Sequence, residues 1–266
     1  MSSLAAAPAT VLAISAHDPT GAAGLQADIE TITACGCMCA SLLTATTAQN
    51  TRSFEDVFPQ PLEQLRREAT LLTQDMCFAA CKIGMLGAAA TASFVAELLT
   101  ELAGIPVVLD PVTAAGTGTR TADRALVDTM KTSLMPLVTV ATPNCREARE
   151  LSGTADIERA AEILLRLGAG NVLVTGGDAP TATVVNILFR QSAAPVRYEF
   201  ERLPHRYHGS GCTLAAAIAA FLARGIAVDD AVSRAQTYTW NALRRGLKLG
   251  TGQYHPDRAR RADTQD

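Results

Sequence analysis

A thiol and a glycine-rich turn stand together in residues 208–213, which read His-Gly-Ser-Gly-Cys-Thr. A helix is predicted to follow, because alanines and leucines run on from there until Gly225, a residue type that ends helices. Gly209 and Gly211 leave backbone N–H groups uncovered, and the first turn of a helix attracts anions, most often phosphate. A helix N-terminus also lowers the pKa of a thiol, which would make Cys212 a base. The alternative is a glycine-rich helix start in which Cys212 only packs, and this segment alone does not decide between the two.

Other polar side chains follow short apolar segments that are typical of buried strands. Asp110 follows residues 106–109, and Asn144 comes shortly after residues 137–141. Ligands of parallel sheets bind beyond the carboxyl ends of the strands, so we expect these side chains to share one edge of a sheet. The same placement applies to Asp18, Gln49, Thr175 and Asp178. The coincidence of these positions predicts a ligand site there.

The elements that must position these residues alternate between strand and helix. Strands are predicted at residues 11–15, 37–45, 79–83, 106–109, 137–141 and 171–174, and a late antiparallel pair at 183–189 and 196–200. Helices are predicted at residues 24–34, 62–74, 88–102, 120–132, 145–151, 157–167, after Gly211, and at 229–247, with a polar loop at 46–51. Persistent alternation of this kind indicates a mostly parallel sheet with helices on both faces.

Composition narrows the class of protein. A chain of 266 residues with 48% hydrophobic residues is enough for one large α/β domain. The net charge of −3 and the scattered lysines and arginines favour neither a nucleic-acid nor a membrane surface. The basic cluster 258–261 is interpreted as a solvated end. Residues 1–10 are expected to be a flexible lead-in, residues 11–252 the single domain, and residues 253–266 a tail.

The cysteines indicate a reducing compartment. Seven are present, an odd number, and no secretory signal precedes them, so the sequence favours a cytoplasmic protein without a disulfide framework. Cys35, Cys37 and Cys39 lack a second cysteine pair at zinc spacing. They are interpreted as small buried residues in a strand.

Several segments together resemble one known family. They are SAHDPTGAAGLQADIET (15–31), TATTAQNT (44–51), KIGML (82–86), VVLDPV (107–112), TPNCREARELSG (142–153), VLVTGG (172–177) and HGSGCTLAAAIAAFLARG (208–225). The set is similar to the hydroxymethylpyrimidine and phosphomethylpyrimidine kinases of thiamin biosynthesis, within the ribokinase-like superfamily. The resemblance implies a three-layer α/β/α sandwich whose mostly parallel central sheet has an antiparallel edge. It also implies ATP and Mg²⁺ as cofactors, a pyrimidine substrate, a cytoplasmic location and a homodimer.

The resemblance assigns roles around the glycine-rich turn. Gly209, Ser210 and Gly211 would form, with Cys212, the anion hole for the transferring phosphoryl group. Cys212 would also take the proton from the substrate hydroxyl or phosphate. Phosphoryl transfer depends on such positioning and on charge neutralisation more than on covalent chemistry.

The resemblance also implies a metal and nucleotide side. Asn144 and Glu147 match an Asn-x-x-Glu metal motif in which Glu147 would hold Mg²⁺ largely through water, with Asp110 as a second carboxylate. Asn144 would steady the phosphates or the water at the metal, and Thr175 and Gly177 are expected at the nucleotide. The alternatives are ordinary: a capping box for the Asn-x-x-Glu motif, and a strand-end turn residue for Asp110.

The pyrimidine side would be formed by Ala16, Asp28, Gln49 and Met85. The carboxylate of Asp28 and the amide of Gln49 can pair with ring nitrogens, an amino group or a hydroxymethyl group. Met85 offers a polarisable face to the ring. The alternatives are that Asp28 is a solvated helix residue and that Met85 belongs to the core.

Two positions depart from the family pattern. Many members have a lysine where this chain has Gly116 and another where it has Thr175, and both would neutralise nucleotide phosphates. Arg120 or Arg146 could compensate for them.

The leading hypothesis is an ATP- and Mg²⁺-dependent kinase of 4-amino-5-hydroxymethyl-2-methylpyrimidine and its monophosphate. The alternatives are a pyridoxal kinase and a catalytically weak pyrimidine-binding sensor protein, which the two absent lysines would favour.

Overall fold

One 9-stranded sheet forms the centre of the protein. The computed structural model describes residues 7–259, apart from residues 117, 179 and 180. The strands are β1 (Thr10–His17), β2 (Met38–Gln49), β3 (Phe54–Pro59), β4 (Ala80–Ile83), β5 (Val107–Leu109), β6 (Val140–Ala141), β7 (Asn171–Val174), β8 (Thr183–Arg190) and β9 (Ala193–Glu201). They lie in the order β3-β2-β1-β4-β5-β6-β7-β8-β9.

The centre of this sheet is parallel and both margins are antiparallel. β2, β1, β4, β5, β6 and β7 form parallel pairs in this order. β3 pairs antiparallel with β2 at one margin, and β8 pairs antiparallel with both β7 and β9 at the other. The expected parallel core and late antiparallel pair are confirmed. The loop predicted at 46–51 is wrong in its first part, because β2 continues to Gln49 against β3, a strand that the sequence reading missed.

Helices cover both faces of the sheet. They are α1 (Gly24–Ala34), α2 (Leu62–Asp75), α3 (Ala89–Glu101), α4 (Arg124–Thr129), α5 (Cys145–Ser152), α6 (Ile157–Arg166), α7 (Ser210–Ala223) and α8 (Val228–Arg244). The helix predicted at 120–132 is shorter and less regular than expected. It begins after Asp123, whose side chain accepts a hydrogen bond from the Leu126 N–H, and it passes into a π-helical turn (Met130–Leu134) and a 3₁₀ turn (Met135–Leu137).

Two apolar cores hold the layers together. One packs α2 to α6 against the sheet, and the other packs α1, α7 and α8 against its opposite face. Every residue of α7 from Thr213 to Leu222 is buried, which is typical of a helix that is apolar on all sides. The start of α7 is therefore held firmly at the carboxyl edge of the strands.

The described residues near both predicted boundaries belong to the folded domain. Thr10 already belongs to β1. The Tyr254 N–H donates to the Arg206 carbonyl, and the side chain of Arg258 is buried. The expectation of a tail from residue 253 and of a solvated end at Arg258 is therefore wrong, because this segment packs onto the domain. Residues 1–6 and 260–266 lie outside the described residues.

No helix among the described residues is both long and apolar enough to span a lipid bilayer.

Candidate active site

One cavity of about 410 Å³ opens at the carboxyl edge of the parallel strands. It receives the loops that follow β1, β2, β4, β5, β6 and β7, together with the first turn of α7. The structure brings to its lining all of the predicted site residues except Asp28. They are Ala16, Gln49, Met85, Asp110, Asn144, Glu147, Thr175, Gly177, Gly209, Ser210, Gly211 and Cys212. Their individual roles remain predictions.

The glycine-rich turn presents backbone to this cavity. Gly209 precedes α7 in the left-handed region, with φ of 81°. A Cβ atom there would lie 1.7 Å from the Ala22 carbonyl oxygen, so only glycine fits. The first amides of a helix have no partner within it, and here they border a cavity. The turn is therefore a suitable site for an anion.

The protonation state of Cys212 differs from the expectation. Burial, together with the charges of Asp110 and Asp28, raises the pKa of its thiol to about 12, although Lys82 and the Gly24 N–H act to lower it. The prediction of a lowered pKa is wrong because the loss of solvation outweighs the field of the helix. The thiol is accordingly protonated at neutral pH, and it donates a hydrogen bond to Asp110.

Two carboxylates, those of Asp110 and Glu147, line the cavity close enough for the charge of one to act on the other. Burial, and then the charge of Asp110, raises the pKa of Glu147 to about 8. Burial also raises the pKa of Asp110. Two neighbouring carboxylates that resist ionisation together are a fitting place for a divalent cation, and Mg²⁺ needs only one or two of them besides water and phosphate. Within the described residues, no cluster of three or more His, Cys, Asp or Glu side chains forms a more complete metal site.

Asn144 carries out the capping function that was the alternative interpretation of its motif. Its side chain accepts hydrogen bonds from the Arg146 and Glu147 N–H groups, and one oxygen of Glu147 accepts from the Asn144 N–H at 2.9 Å. Both residues still line the cavity. The capping box therefore fixes the orientation of Glu147 without removing it from the site.

The opposite side of the cavity contains Ala16, Gln49 and Met85. The amide of Gln49 donates to the Thr47 hydroxyl at 2.9 Å, which orients it. The Thr44 hydroxyl donates to the Met85 carbonyl at 2.6 Å, so the turn that carries Met85 is fixed to β2. A planar ring would find an amide and a thioether on this side.

Asp28 lies elsewhere, and the expectation that it binds substrate is not supported. It is fully buried, and Lys82 Nζ lies 2.7 Å from its Oδ1 and 2.8 Å from its Oδ2. Burial raises the pKa of Asp28 to about 6 in spite of Lys82, so both groups are ionised at neutral pH. The pair does not line the cavity but is close enough to Cys212 to influence its pKa.

Asp18, His208 and Arg202 are among the lining residues to which the sequence assigned no individual role. Asp18 accepts hydrogen bonds from the Thr20 and Ala23 N–H groups, and His208 Nε2 lies 3.2 Å from its Oδ2. Arg202, the residue that follows β9, donates to the Gly177 carbonyl at 2.9 Å. Asp18 was noted only as a strand-end residue, and His208 only as part of the turn. No local signal marks Arg202, because it reaches the cavity from a distant edge strand.

The positions of the absent lysines are occupied differently. A Cβ atom at Gly116 would lie 3.0 Å from His208 Nδ1, so the imidazole fills that side. Arg120 pairs with Glu150 at 2.7 Å and does not line the cavity. Arg202, in contrast, does line it. Among the described arginines, Arg202 thus stands nearer than Arg120 to the loop that carries Gly177.

Comparison with known proteins shows which family this chain resembles. The family model described as phosphomethylpyrimidine kinase matches residues 18–257. The hydroxymethylpyrimidine/phosphomethylpyrimidine kinase of Streptomyces coelicolor is 36% identical over 251 residues, which cover 92% of each chain. The thiamine biosynthesis bifunctional protein ThiED of Geobacter sulfurreducens is 39% identical over 249 residues, and the chain spans 51% of its length.

Solved structures extend the comparison to a related activity. Pyridoxal kinase of Staphylococcus aureus, in complex with pyridoxal, superposes with a TM-score of 0.87 at 27% identity, covering 95% of this chain and 94% of that one. Phosphomethylpyrimidine kinase of Clostridium difficile superposes with a TM-score of 0.76 at 29% identity, covering 88% and 99%.

Proposed function

Because this chain belongs to the phosphomethylpyrimidine kinase family, we propose that it phosphorylates 4-amino-5-hydroxymethyl-2-methylpyrimidine and its monophosphate with ATP. The product would serve thiamin biosynthesis. One observation carries the proposal: the anion-binding turn at Gly209–Cys212 faces the same cavity as Gln49 and Met85. A phosphoryl group held by the turn would therefore meet a ring held by the opposite side.

The proposed chemistry places Cys212 between the substrate and Asp110. The substrate hydroxyl attacks the terminal phosphorus of ATP, the bond from that phosphorus to the bridging oxygen breaks, and ADP leaves. The hydroxyl proton passes to the Cys212 sulfur, while the thiol proton moves to Asp110, which already accepts a hydrogen bond from it. The backbone amides of Gly209–Cys212 would stabilise the charge on the transferring group.

The two carboxylates would hold the metal of this reaction. Asp110 and Glu147 supply the hard oxygen ligands that Mg²⁺ prefers, and Asn144 keeps Glu147 in place. When bound, the ion neutralises phosphate charge. Thr175, Gly177 and the newly found Arg202 would contact the nucleotide phosphates on the same side.

The decisive experiment incubates the protein with MgATP and each pyrimidine and measures ADP together with the phosphorylated product. We expect ADP release with both substrates, in an amount equal to the monophosphate formed from the alcohol and to the diphosphate formed from the monophosphate. Tight pyrimidine binding by calorimetry without turnover would instead favour a sensor protein. Absence of both binding and ADP release would reject the proposal.

A second candidate, pyridoxal kinase, is favoured by the superposition on the Staphylococcus aureus enzyme. The ratio of kcat/KM for pyridoxal to that for the pyrimidine separates the two activities, because that ratio measures differential transition-state binding. We expect the pyrimidine to be preferred.

We also infer a homodimer from the family resemblance. Light scattering would measure the molar mass in solution and so test this inference.

A further inference from the structure

Arg258 is an unusual residue in this protein because its charged side chain is buried, with 3% of its surface exposed. Buried guanidinium groups are costly unless each donor finds an acceptor. The contacts of Arg258 therefore indicate what its burial achieves.

The guanidinium connects two segments of the chain that border the cavity. Its Nε donates to the Thr213 hydroxyl at 2.9 Å, and that hydroxyl donates in turn to the Gly209 carbonyl at 2.8 Å. On its other side, Nη1 donates to the Gly21 carbonyl at 3.3 Å and Nη2 to that of Ala22. One planar group thus connects the phosphate-binding turn with the loop between β1 and α1.

Neighbouring contacts hold the arginine and the loop in place. The Tyr238 hydroxyl donates to the Arg258 carbonyl at 3.1 Å, which fixes the backbone of the arginine to α8. A ring nitrogen of His255 lies 3.1 Å from the Thr20 carbonyl. Glu30 lies 3.1 Å from Nη1 and balances the charge. Residues 255–258 therefore form a clamp between α8 and the loop that joins β1 to α1.

We propose that Arg258 is a positioning residue for phosphoryl transfer, which holds the loop between β1 and α1 at a fixed distance from the phosphate-binding turn. The proposal rests on the proposed function, since the loop begins beside Ala16 and the turn contains Cys212. Arginine suits this position because its planar guanidinium donates hydrogen bonds to several acceptors at once. A lysine ammonium cannot do so in the same geometry. Without the clamp, the attacking hydroxyl and the phosphoryl group would lose their alignment.

The test compares Arg258→Ala with the wild-type protein in the kinase assay. A displacement of about 1 Å at a reacting centre can lower a rate by about 100-fold. We therefore expect kcat to fall by about 100-fold and KM for ATP to change by less than about threefold. Values of kcat are expressed per binding-competent site, counted by calorimetric titration, so that partial unfolding does not imitate the effect.

Arg224→Ala is the matched control, because Arg224 donates to the Cys35 carbonyl and so links the same two helices, α1 and α7, at their far ends. We expect its kcat per competent site to stay within about twofold of the wild type. An equal fall in kcat for both variants would show that Arg258 contributes only stability and would overturn the proposal.

A second pair of variants keeps the test valid if Arg258→Ala does not fold. Thr213→Val removes the hydroxyl that links Arg258 to Gly209, and Thr213→Ser retains it. We expect Thr213→Val to lower kcat by about tenfold and Thr213→Ser to restore most of it. Unchanged kcat in Thr213→Val would refute the proposal. A wild-type protein without ADP release would refute the proposed function instead, so the two failures are distinguishable.

Discussion

The buried pair of Lys82 and Asp28 allows a quantitative prediction. Both side chains are fully buried and Nζ lies 2.7 Å from the nearer carboxylate oxygen. At an effective dielectric constant of about 20, two unit charges about 3 Å apart attract by about 5.5 kcal/mol. The loss of hydration of both ions offsets most of this attraction, so the net contribution of the pair is small.

Removing one partner is different, because the other charge then stays buried and alone. We expect Lys82→Met to lower the free energy of unfolding by about 3–5 kcal/mol. The double variant Lys82→Met/Asp28→Leu removes both charges and should lose less than half as much. The measurement is urea denaturation at neutral pH, with the double-mutant cycle giving the interaction energy.

An exposed ion pair of equal length is the control. Arg66 and Glu97 approach to 2.7 Å, but their side chains are 40% and 57% exposed, so Glu97→Gln should cost less than about 1 kcal/mol. The reasoning is refuted if Lys82→Met loses less than about 1 kcal/mol, or if the double variant loses the sum of the two single losses. The folded double variant should also bind the pyrimidine as the wild type does, since Asp28 does not line the cavity.

Three further outcomes follow from the site. Cys212→Ala should lower kcat by at least about 100-fold and leave pyrimidine affinity, measured by calorimetry, nearly unchanged, while Cys77→Ala, at an exposed thiol, should alter neither. Gly209→Ala should lower the melting temperature and abolish turnover, because its Cβ would meet the Ala22 carbonyl oxygen; normal values for both would contradict the assigned geometry. Because the pKa of Glu147 is about 8 in the folded protein and 4.5 as a free side chain, the folded state binds the extra proton between these values. Without Mg²⁺, stability should then fall as pH rises from about 5 to 8, and Glu147→Gln should flatten that slope in urea titrations; an unchanged slope would exclude Glu147 as its source.

The sequence predicted those helices and strands whose residues carry a clear local pattern, and it missed those that depend on a distant partner. The alanine-rich run after Gly211 predicted α7 because a continuous apolar helix needs no distant partner to be recognised. β3 was missed because it carries charges and a proline, and it exists through antiparallel pairing with β2 at the edge of the sheet.

The site shows the same division between local and distant effects. The strand-end positions of Asp110 and Asn144 placed them correctly at the cavity, since topology brings such positions together. Asp28 was misplaced because its partner Lys82 lies 54 residues away. The pKa of Cys212 was predicted in the wrong direction because a helix N-terminus is visible in sequence, whereas burial by distant segments is not.

The buried position of α7 has a consequence for how ligands are selected. Since the core surrounds this helix, the amides at its first turn keep their direction before any ligand arrives. An anion that binds there orders very little of the protein. Inorganic phosphate or sulfate would therefore already form most of the hydrogen bonds that the backbone amides of the turn provide. Discrimination between one phosphorylated compound and another must then come from partly exposed side chains of the cleft, such as Gln49 and Arg202, rather than from the helix.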